Sequence, residues 1–294
     1  MFSNVVERDP SLMLANHPAE TADVVIPVAR ITRAERLAFA SPDALARACQ
    51  LGIFYLAIPK SLDLDSARKF GRKLVDPNNP YRAIPQYGEL EGFIALENNQ
   101  QTKLALRRHH WSQHYPQPIA HFGGQLDELG VVIMREVLHQ SGIPEALWSQ
   151  ASGGYASGHG TAFLNFVHYD TTMPDWGLRP HTDYGFVTIL DATAPGLQIS
   201  INGRFEDVPV LPDHFIINFG EALRFITTYS DRPVTAVEHR VVSQKSTDPI
   251  RHGIVYFANP DLDGMLWQYN SQGDLLGSSS VEALFTSLEK DLTE

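Results

Sequence analysis

Hydrophobic residues recur at helical spacing in three segments of the first half of the chain. The predicted helices cover residues 43–51, 62–75 and 124–140. The longest helix carries an apolar stripe of the kind that packs on a core, formed by Leu126, Leu129, Ile133 and Val137. Gly52 follows the first helix, at the position where a helix C-terminus favours a left-handed residue. Ahead of these helices we expect an irregular leader over residues 1–25 and a short strand over 24–28.

The pattern changes after residue 160, where short runs of β-branched and aromatic residues alternate with Gly, Pro and Asn. Such runs are typical of an antiparallel barrel or sandwich. The glycine-rich segment 152–160 lacks the preceding strand and following helix of a dinucleotide-binding site, so we interpret it as a loop. The 294 residues are therefore expected to form one domain. Its predicted parts are a helical N-terminal region with the first core strands over 1–155, a β core over 156–265 and a C-terminal segment with a helix over 266–294.

Composition favours a globular enzyme of a reducing, cytoplasmic environment. Hydrophobic residues make up 43% of the chain, and no apolar run approaches the ~20 residues needed to cross a bilayer. The single Cys49 cannot form an internal disulfide, and the N-terminus lacks the basic and apolar segments of a signal peptide. A net charge of −11 argues against nucleic acid as a partner. The oligomeric state is left open. A solvated basic face is expected on the second helix, from Arg68, Lys69, Arg72 and Lys73.

Three residues of the predicted β core have the spacing of ligands to one metal ion. His181 and Asp183 are separated by one residue in the extended segment 179–190, so both side chains point to the same face. His239 lies in a later run whose apolar residues share its parity, which predicts that it faces inward. Two imidazoles and one carboxylate form the facial triad that holds non-haem Fe(II) and leaves positions open for a co-substrate and O2.

An arginine at the start of a later strand is a candidate anion site. Arg251 opens the run 251–257, and its face of that run also carries Gly253, Val255 and Phe257. A guanidinium remains charged at any working pH and binds a carboxylate through two points. A buried arginine needs an anion, and beside an iron site the natural anion is the distal carboxylate of a 2-oxo acid that chelates the metal.

These motifs resemble the isopenicillin N synthase-like branch of the Fe(II)/2-oxoglutarate-dependent dioxygenases. The resemblance covers most of the chain, and its further similar segments are residues 43–56, 195–199, 202–208 and 215–223. It implies a mainly β fold with flanking helices, in which residues 156–265 form a double-stranded β-helix, a cupin-like jelly-roll core. It also implies that His181, Asp183 and His239 ligate iron and that Arg251 binds 2-oxoglutarate, with no catalytic side chain beyond the metal ligands.

The chain departs from that family at two positions of the co-substrate site. The family carries Arg-x-Ser, whose hydroxyl assists the arginine, but here the third residue is Gly253. The family also has a tyrosine in the strand before the His-x-Asp segment, where Phe166 aligns here and Tyr169 is a substitute. We therefore assign Arg251, Gly253, Phe166 and Tyr169 to the 2-oxoglutarate site. The motifs His-Thr-Asp-Tyr-Gly and Arg-x-x-x-x-Tyr-Phe-x-x-Pro are similar to those of the microbial ethylene-forming enzyme group, whose arginine motif also lacks the serine.

The resemblance implies an enzyme that uses Fe(II), 2-oxoglutarate and O2 to oxidise an unactivated C–H bond of a small molecule, in specialised metabolism. The outcome is hydroxylation, desaturation or oxidative cyclisation, according to a substrate that the sequence does not identify. Candidates for the pocket wall are Phe166, Phe186, Ile189 and Phe257. Arg107 or Arg108 could meet a substrate carboxylate, with a surface role as an equal alternative. Two other functions stay open: an Fe(II) oxidase of the same fold that needs no 2-oxo acid, and a non-catalytic barrel that binds a small molecule or metal.

Overall fold

The computed structural model describes residues 24–88, 91–96, 101–172, 177–242 and 250–291. Its α-helices are α1 Ala44–Leu51, α2 Leu64–Lys73, α3 Arg108–His114, α4 Gln117–Ser141, α5 Trp148–Ala151, α6 Glu221–Thr227 and α7 Val281–Asp291. Its strands are β1 Val28–Ile31, β2 Leu37–Phe39, β3 Ile53–Ala57, β4 Gly92–Leu96, β5 Gln101–Arg107, β6 Thr161–Asp170, β7 Leu178–His181, β8 Val187–Ala192, β9 Leu197–Ile201, β10 Arg204–Asp207, β11 His214–Phe219, β12 His239–Val241, β13 Ile250–Asn259, β14 Met265–Tyr269 and β15 Leu275–Ser280. Short 3₁₀ segments lie at Pro80–Ala83, Glu145–Leu147 and Tyr155–Ser157.

The strands form two main sheets that pack against each other. The larger sheet has the order β2-β1-β3-β11-β8-β13-β6-β5-β4, and the smaller sheet has the order β10-β9-β12-β7. Ile199 of the smaller sheet lies in one buried cluster with Tyr55 and Ile216 of the larger sheet, so the two sheets share an interior. A separate hairpin pairs β14 with β15. This arrangement agrees with the predicted mainly β fold with flanking helices and a jelly-roll core.

The long helix α4 packs on the face of the larger sheet that points away from the smaller one. Its predicted apolar stripe is buried, at Leu126, Leu129, Ile133 and Val137. Tyr256 of β13 donates a 2.5 Å hydrogen bond to Asp127 of α4, and the Tyr155 hydroxyl lies 3.2 Å from that of Tyr256. Gly130 lies against Tyr155 so closely that a Cβ there would overlap the phenol. These contacts fix the helix to the sheet, with a glycine at the closest approach.

The predicted helices over 43–51, 62–75 and 124–140 are present, whereas α3, α5 and α6 were not predicted. Helix α1 ends as predicted, with Gly52 in the left-handed conformation at φ 74°. Helix α2 begins at Leu64 because the Asp63 side chain accepts a 3.1 Å hydrogen bond from the backbone N–H of Ser66. Helix α4 begins earlier than predicted, with Pro118 in its first turn, where proline is favoured. None of the described helices is both long and apolar enough to cross a membrane.

The N-terminal strand prediction is wrong in its position. Residues 24–27 are irregular, and β1 begins at Val28. Pro27 has no N–H to donate to a strand, although its carbonyl accepts a 2.8 Å hydrogen bond from Tyr55. Most of the predicted leader, residues 1–23, lies outside the described residues. The glycine-rich segment 152–160 forms turns and a 3₁₀ segment, as expected for a loop.

Candidate metal centre

The three predicted metal ligands meet where the smaller sheet borders the larger one. His181 ends β7, Asp183 lies in the turn before β8, and His239 begins β12. Antiparallel pairing of β12 with β7 places His239 opposite His181. Each Nε2 atom of the two histidines lies 3.9 Å from Oδ1 of Asp183, and the candidate ligand atoms all lie within 4.8 Å of one another. The structure thus brings together, at one point, the three residues that the sequence selected.

Backbone carbonyls orient both imidazoles. His181 Nδ1 lies 2.8 Å from the carbonyl oxygen of Arg179, and His239 Nδ1 lies 3.0 Å from that of Val237. A proton assigned to each Nδ1 is donated to the carbonyl, which leaves the Nε2 lone pair directed towards Asp183. Such a second hydrogen bond is what usually fixes the tautomer of a metal-binding histidine.

A hydrogen bond from a neighbouring side chain orients the carboxylate of Asp183. The Thr188 hydroxyl donates a 2.5 Å hydrogen bond to Oδ2 of Asp183, which leaves Oδ1 facing the two histidines. Burial and the neighbouring His239 lower the pKa of His181 below its ordinary value, with Asp183 opposing them. Neutral imidazoles and an ionised carboxylate are the forms that bind a metal ion. The donor set therefore fits a borderline divalent ion such as Fe(II).

Arg251 is a buried cation on the same cavity. Its side chain is 5% exposed, and its Nε lies 3.1 Å from the carbonyl oxygen of Pro195 and 3.3 Å from that of Ala194. The guanidinium lies 5.4 Å from the Tyr169 ring centroid, and burial lowers its pKa. Among the described residues, no carboxylate forms an ion pair with it. A buried guanidinium without an acidic partner is a site for a ligand's anion.

A cavity between the two sheets, called here the site cavity, joins the metal cluster to Arg251. His181, Asp183 and His239 line it together with Arg251 and Tyr169. As the strand parity predicted, its lining also includes Gly253, Val255 and Phe257. The Tyr169 hydroxyl accepts a 3.0 Å hydrogen bond from the Gln101 side chain.

The predicted role of Phe166 in the co-substrate site is wrong. Phe166 points away from the site cavity and packs on Phe70 and Tyr115, with ring centroids 4.8 Å and 5.7 Å apart. Alternation along β6 instead brings Asn165 and Val167 into the cavity. The alignment with the family tyrosine is therefore wrong by one residue, because neighbouring residues of a strand point to opposite faces. Neither Phe186 nor Ile189, which were predicted for the wall, lines the cavity; on β8 Thr188 and Leu190 do so.

Arg107 and Arg108 form ion pairs within the protein. Arg107 Nε lies 2.7 Å from a carboxylate oxygen of Glu91, and Arg108 pairs with Asp127. Arg108 also donates a 2.6 Å hydrogen bond to the carbonyl of Gly160. Of the two interpretations left open by the sequence, these contacts favour a structural role over contact with a substrate carboxylate.

Sequence reasoning missed five polar residues of the cavity lining, namely Gln101, Lys103, Asn165, Thr188 and Asn218. Of these, Lys103 lies on β5 and Asn165 on β6. Oδ1 of Asn165 is buried and has no hydrogen-bond partner within the described part of the chain. The only sequence signal for these residues is a polar side chain at alternate positions of an apolar strand, and that signal shows only when the strand register is known.

Comparison with known proteins identifies relatives for the region that carries the site. Residues 160–260 match the family model described as 2OG-Fe(II) oxygenase superfamily. A 1-aminocyclopropane-1-carboxylate oxidase from Prunus mume is 40% identical over 93 residues, which cover 31% of this chain and 28% of that protein. Gibberellin 2-beta-dioxygenase 6 from Oryza sativa subsp. japonica is 26% identical over 213 residues, which cover 64% of this chain and 58% of that protein. The chain thus spans less than two thirds of either relative.

A solved structure extends the likeness over nearly the whole chain. The crystal structure of the dioxygenase for auxin oxidation in rice matches with a TM-score of 0.70 at 17% identity, covering 92% of this chain and 96% of the rice protein. At this identity the likeness shows the fold. The predicted fold class is confirmed, and the predicted resemblance is confirmed over residues 160–260, which are similar to the 2OG-Fe(II) oxygenase superfamily.

Proposed function

We propose that the protein is an Fe(II)/2-oxoglutarate-dependent dioxygenase that oxidises a C–H bond of a small molecule. The observation that carries this proposal is one cavity between the two sheets, lined by His181, Asp183, His239 and a buried arginine, Arg251, that has no acidic partner among the described residues. A purely structural cavity gains nothing from three converging ligands and an uncompensated cation.

Each of these side chains has one task in the proposal. His181, Asp183 and His239 hold Fe(II) through Nε2, a carboxylate oxygen and Nε2, and Thr188 keeps the carboxylate in position. Arg251 binds the distal carboxylate of 2-oxoglutarate, and Tyr169 stacks beside the guanidinium. The bound Fe(II) supplies the oxygen chemistry that no side chain can perform. The overall reaction takes 2-oxoglutarate, O2 and substrate to succinate, CO2 and an oxidised product.

The walls of the site cavity favour a substrate of low polarity at the reacting carbon. Besides its charged and polar groups, which include Gln101 and Asn218, the lining is apolar, with Leu178, Leu190, Leu197, Val241 and the aromatic Phe257. Such walls exclude water from the oxidising centre. The names of the relatives, which include oxidases and dioxygenases of small organic molecules, support a small-molecule substrate. Hydroxylation, desaturation and oxidative cyclisation in specialised metabolism all remain compatible with this site.

The experiment that tests the proposal is an anaerobic titration of the Fe(II) protein with 2-oxoglutarate. Chelation of the metal by the 2-oxo acid gives a visible charge-transfer band, and the proposal predicts that this band appears and saturates. A screen of small molecules for O2-dependent succinate release then identifies the primary substrate. Absence of both the band and 2-oxoglutarate binding would reject the assignment.

An Fe(II) oxidase that needs no 2-oxo acid is the second candidate. Gly253 favours it, because the hydroxyl that assists the arginine in the resembling family is missing. The 1-aminocyclopropane-1-carboxylate oxidase among the relatives favours it through its name. Substrate turnover without any 2-oxo acid, and without succinate, would support this candidate and contradict the first. A non-catalytic barrel would show neither product formation nor O2 consumption.

A further inference from the structure

Lys103 is a second cation that faces the site cavity. It lies on β5 and lines the cavity, whereas Lys69 and Lys73 of α2 are exposed. Burial lowers its pKa, and no acidic group contributes to this shift. Among the described residues no carboxylate forms an ion pair with it. An ammonium group in such a place is costly unless a ligand supplies the negative charge.

The strand register places Lys103 in line with Gly253. Lys103 pairs with Val167 across β5 and β6, and Val167 pairs with Gly253 across β6 and β13. These three residues form one row across the strands. The neighbouring row, two residues further along each strand, consists of Gln101, Tyr169 and Arg251. Lys103 and Arg251 therefore belong to adjacent rows on the same face of the larger sheet.

The side chains along the first of these rows leave room for the lysine. Neighbouring strands are about 4.8 Å apart. Lys103 and Gly253 are two strands apart, so their Cα atoms are separated by about 10 Å. Val167 between them is short, and Gly253 has no side chain. The four-carbon stem of a lysine can extend over a valine and bring the ammonium close to the guanidinium of Arg251.

Lys103 lies at the arginine end of the site cavity and not at the metal end. The metal end is marked by Thr188, which binds Asp183 and pairs with Phe257 across β8 and β13. Along β13, Phe257 is six residues from Arg251, whereas Gly253 is only two residues from it. An anion held by Lys103 would therefore lie beside Arg251, on the far side from the bound metal.

We propose that the Lys103 ammonium binds the distal carboxylate of 2-oxoglutarate together with the Arg251 guanidinium. The inference rests on the proposed function, since it requires that 2-oxoglutarate is the ligand of this cavity. Lys103 supplies the contact that a serine hydroxyl at position 253 would otherwise make. One carboxylate then compensates the buried guanidinium of Arg251 and the partly buried ammonium of Lys103. A lysine on a strand outside the Arg-x-Ser motif thus replaces the missing group.

The test compares two 2-oxo acids in the wild-type protein and in Lys103→Met, which keeps the approximate length of the side chain and removes its charge. Anaerobic binding to the Fe(II) protein is followed by calorimetry and by the charge-transfer band. The dissociation constant of 2-oxoglutarate should rise by about 10- to 100-fold in the variant, as expected for loss of a hydrogen bond to a charged group. The dissociation constant of 2-oxopentanoate, which has the same carbon chain but no distal carboxylate, should be the same in both proteins.

Three controls make the result specific. Lys60→Met removes an exposed lysine outside the cavity lining and should leave both dissociation constants unchanged. Lys103→Arg should retain part of the affinity for 2-oxoglutarate. Thermal unfolding and Fe(II) affinity show whether Lys103→Arg and Lys103→Met fold. Lys103→Gln serves the same comparison if the methionine variant does not fold.

Two results would overturn the inference while leaving the proposed function intact. In the first, Lys103→Met binds 2-oxoglutarate as the wild type does and loses affinity only for the primary substrate. In the second, it loses the same factor for both 2-oxo acids, so that the distal carboxylate is not its partner. If the wild-type protein itself shows no 2-oxoglutarate binding, the proposed function fails and this inference fails with it.

Discussion

The two faces of the larger sheet differ in whether their buried charges are paired within the protein. On the face covered by α2 and α4, Arg68 binds Asp191 through hydrogen bonds of 2.8 Å and 2.7 Å. On the cavity face, Arg251 and Lys103 have no carboxylate partner among the described residues. Because an uncompensated buried charge is costly, the helix face uses its charges to hold the fold, whereas the cavity face keeps them for a ligand. The same type of residue therefore has a different role according to the side of the sheet to which it belongs.

Some uncharged polar atoms of the cavity lining also lack a hydrogen-bond partner among the described residues. These atoms are Oδ1 of Asn165 and Oδ1 of Asn218, which are buried and unpaired within the residues that the structure describes. On the helix face the Tyr115 hydroxyl donates a 2.7 Å hydrogen bond to the Leu164 carbonyl, although Oγ of Ser141 and Nδ1 of His168 are also buried there without a partner among the described residues. Unpaired polar atoms are rare in folded proteins and each needs an explanation. A polar ligand or water in the cavity would pair with the two asparagine oxygens and so explains them.

The largest expected effect comes from removing a metal ligand on the cavity face. His239→Ala should lower Fe(II) affinity by more than about 100-fold, since loss of an outer partner of a ligand already costs about 10- to 100-fold. Turnover should be abolished, while thermal unfolding shows that the fold is kept. The measurement is equilibrium binding of Fe(II) under anaerobic conditions. Wild-type iron affinity in His239→Ala would remove this residue from the metal site.

Removing the arginine of the cavity face should have the next largest effect. Loss of one partner of a buried charge pair costs about 3–5 kcal/mol, so Arg251→Ala should raise the apparent KM for 2-oxoglutarate by at least about 100-fold. Arg251→Lys should recover only part, because one ammonium cannot copy the two-point contact. Steady-state kinetics at saturating Fe(II) measures both. An unchanged dependence on 2-oxoglutarate in Arg251→Ala would instead favour the oxidase.

An arginine of the helix face should change stability and not co-substrate binding. Arg68→Met leaves Asp191, whose side chain is 2% exposed, without its partner. Arg68 itself is 31% exposed, so we expect a loss of roughly 2–3 kcal/mol in the free energy of unfolding, below the range for a fully buried pair. Denaturant unfolding measures this loss, and the 2-oxoglutarate dissociation constant should not change.

Matched variants sharpen that comparison. Arg72→Met removes an exposed charge from the same helix and should have little effect on unfolding. Arg251→Met removes a cation that has no acidic partner among the described residues, so without ligand it should alter the free energy of unfolding by less than about 1.5 kcal/mol. Equal destabilisation by Arg68→Met and Arg251→Met would contradict the division between the two faces.

The division between the faces was only partly predictable from the sequence. His181 and Asp183 share a face because side chains alternate along a strand, and Arg251 and Gly253 share a face for the same reason. Both pairs were therefore predicted. Arg68 was predicted to belong to a solvated basic face, which is wrong for this residue, because its partner Asp191 lies 123 positions away. Lys103 was missed for a similar reason, since its position beside Gly253 depends on the register of three strands. Local patterns thus predict ligands that share one strand, whereas partners across strands require the fold.

The smallest effect, and the one that most directly probes the cavity face, is expected from Gly253→Ser. A Cβ on Gly253 would lie 3.7 Å from the Asp191 carbonyl oxygen and 3.9 Å from Leu190, which is ordinary van der Waals contact. The new hydroxyl shares the parity of Arg251 and can reach the same carboxylate, which is worth about 0.5–1.5 kcal/mol. The 2-oxoglutarate dissociation constant should therefore fall by about 2- to 10-fold. Gly253→Ala, which adds the carbon without the hydroxyl, should not tighten binding. If alanine and serine change the dissociation constant equally, the hydroxyl has no contact with the ligand and Gly253 does not lie beside the distal carboxylate.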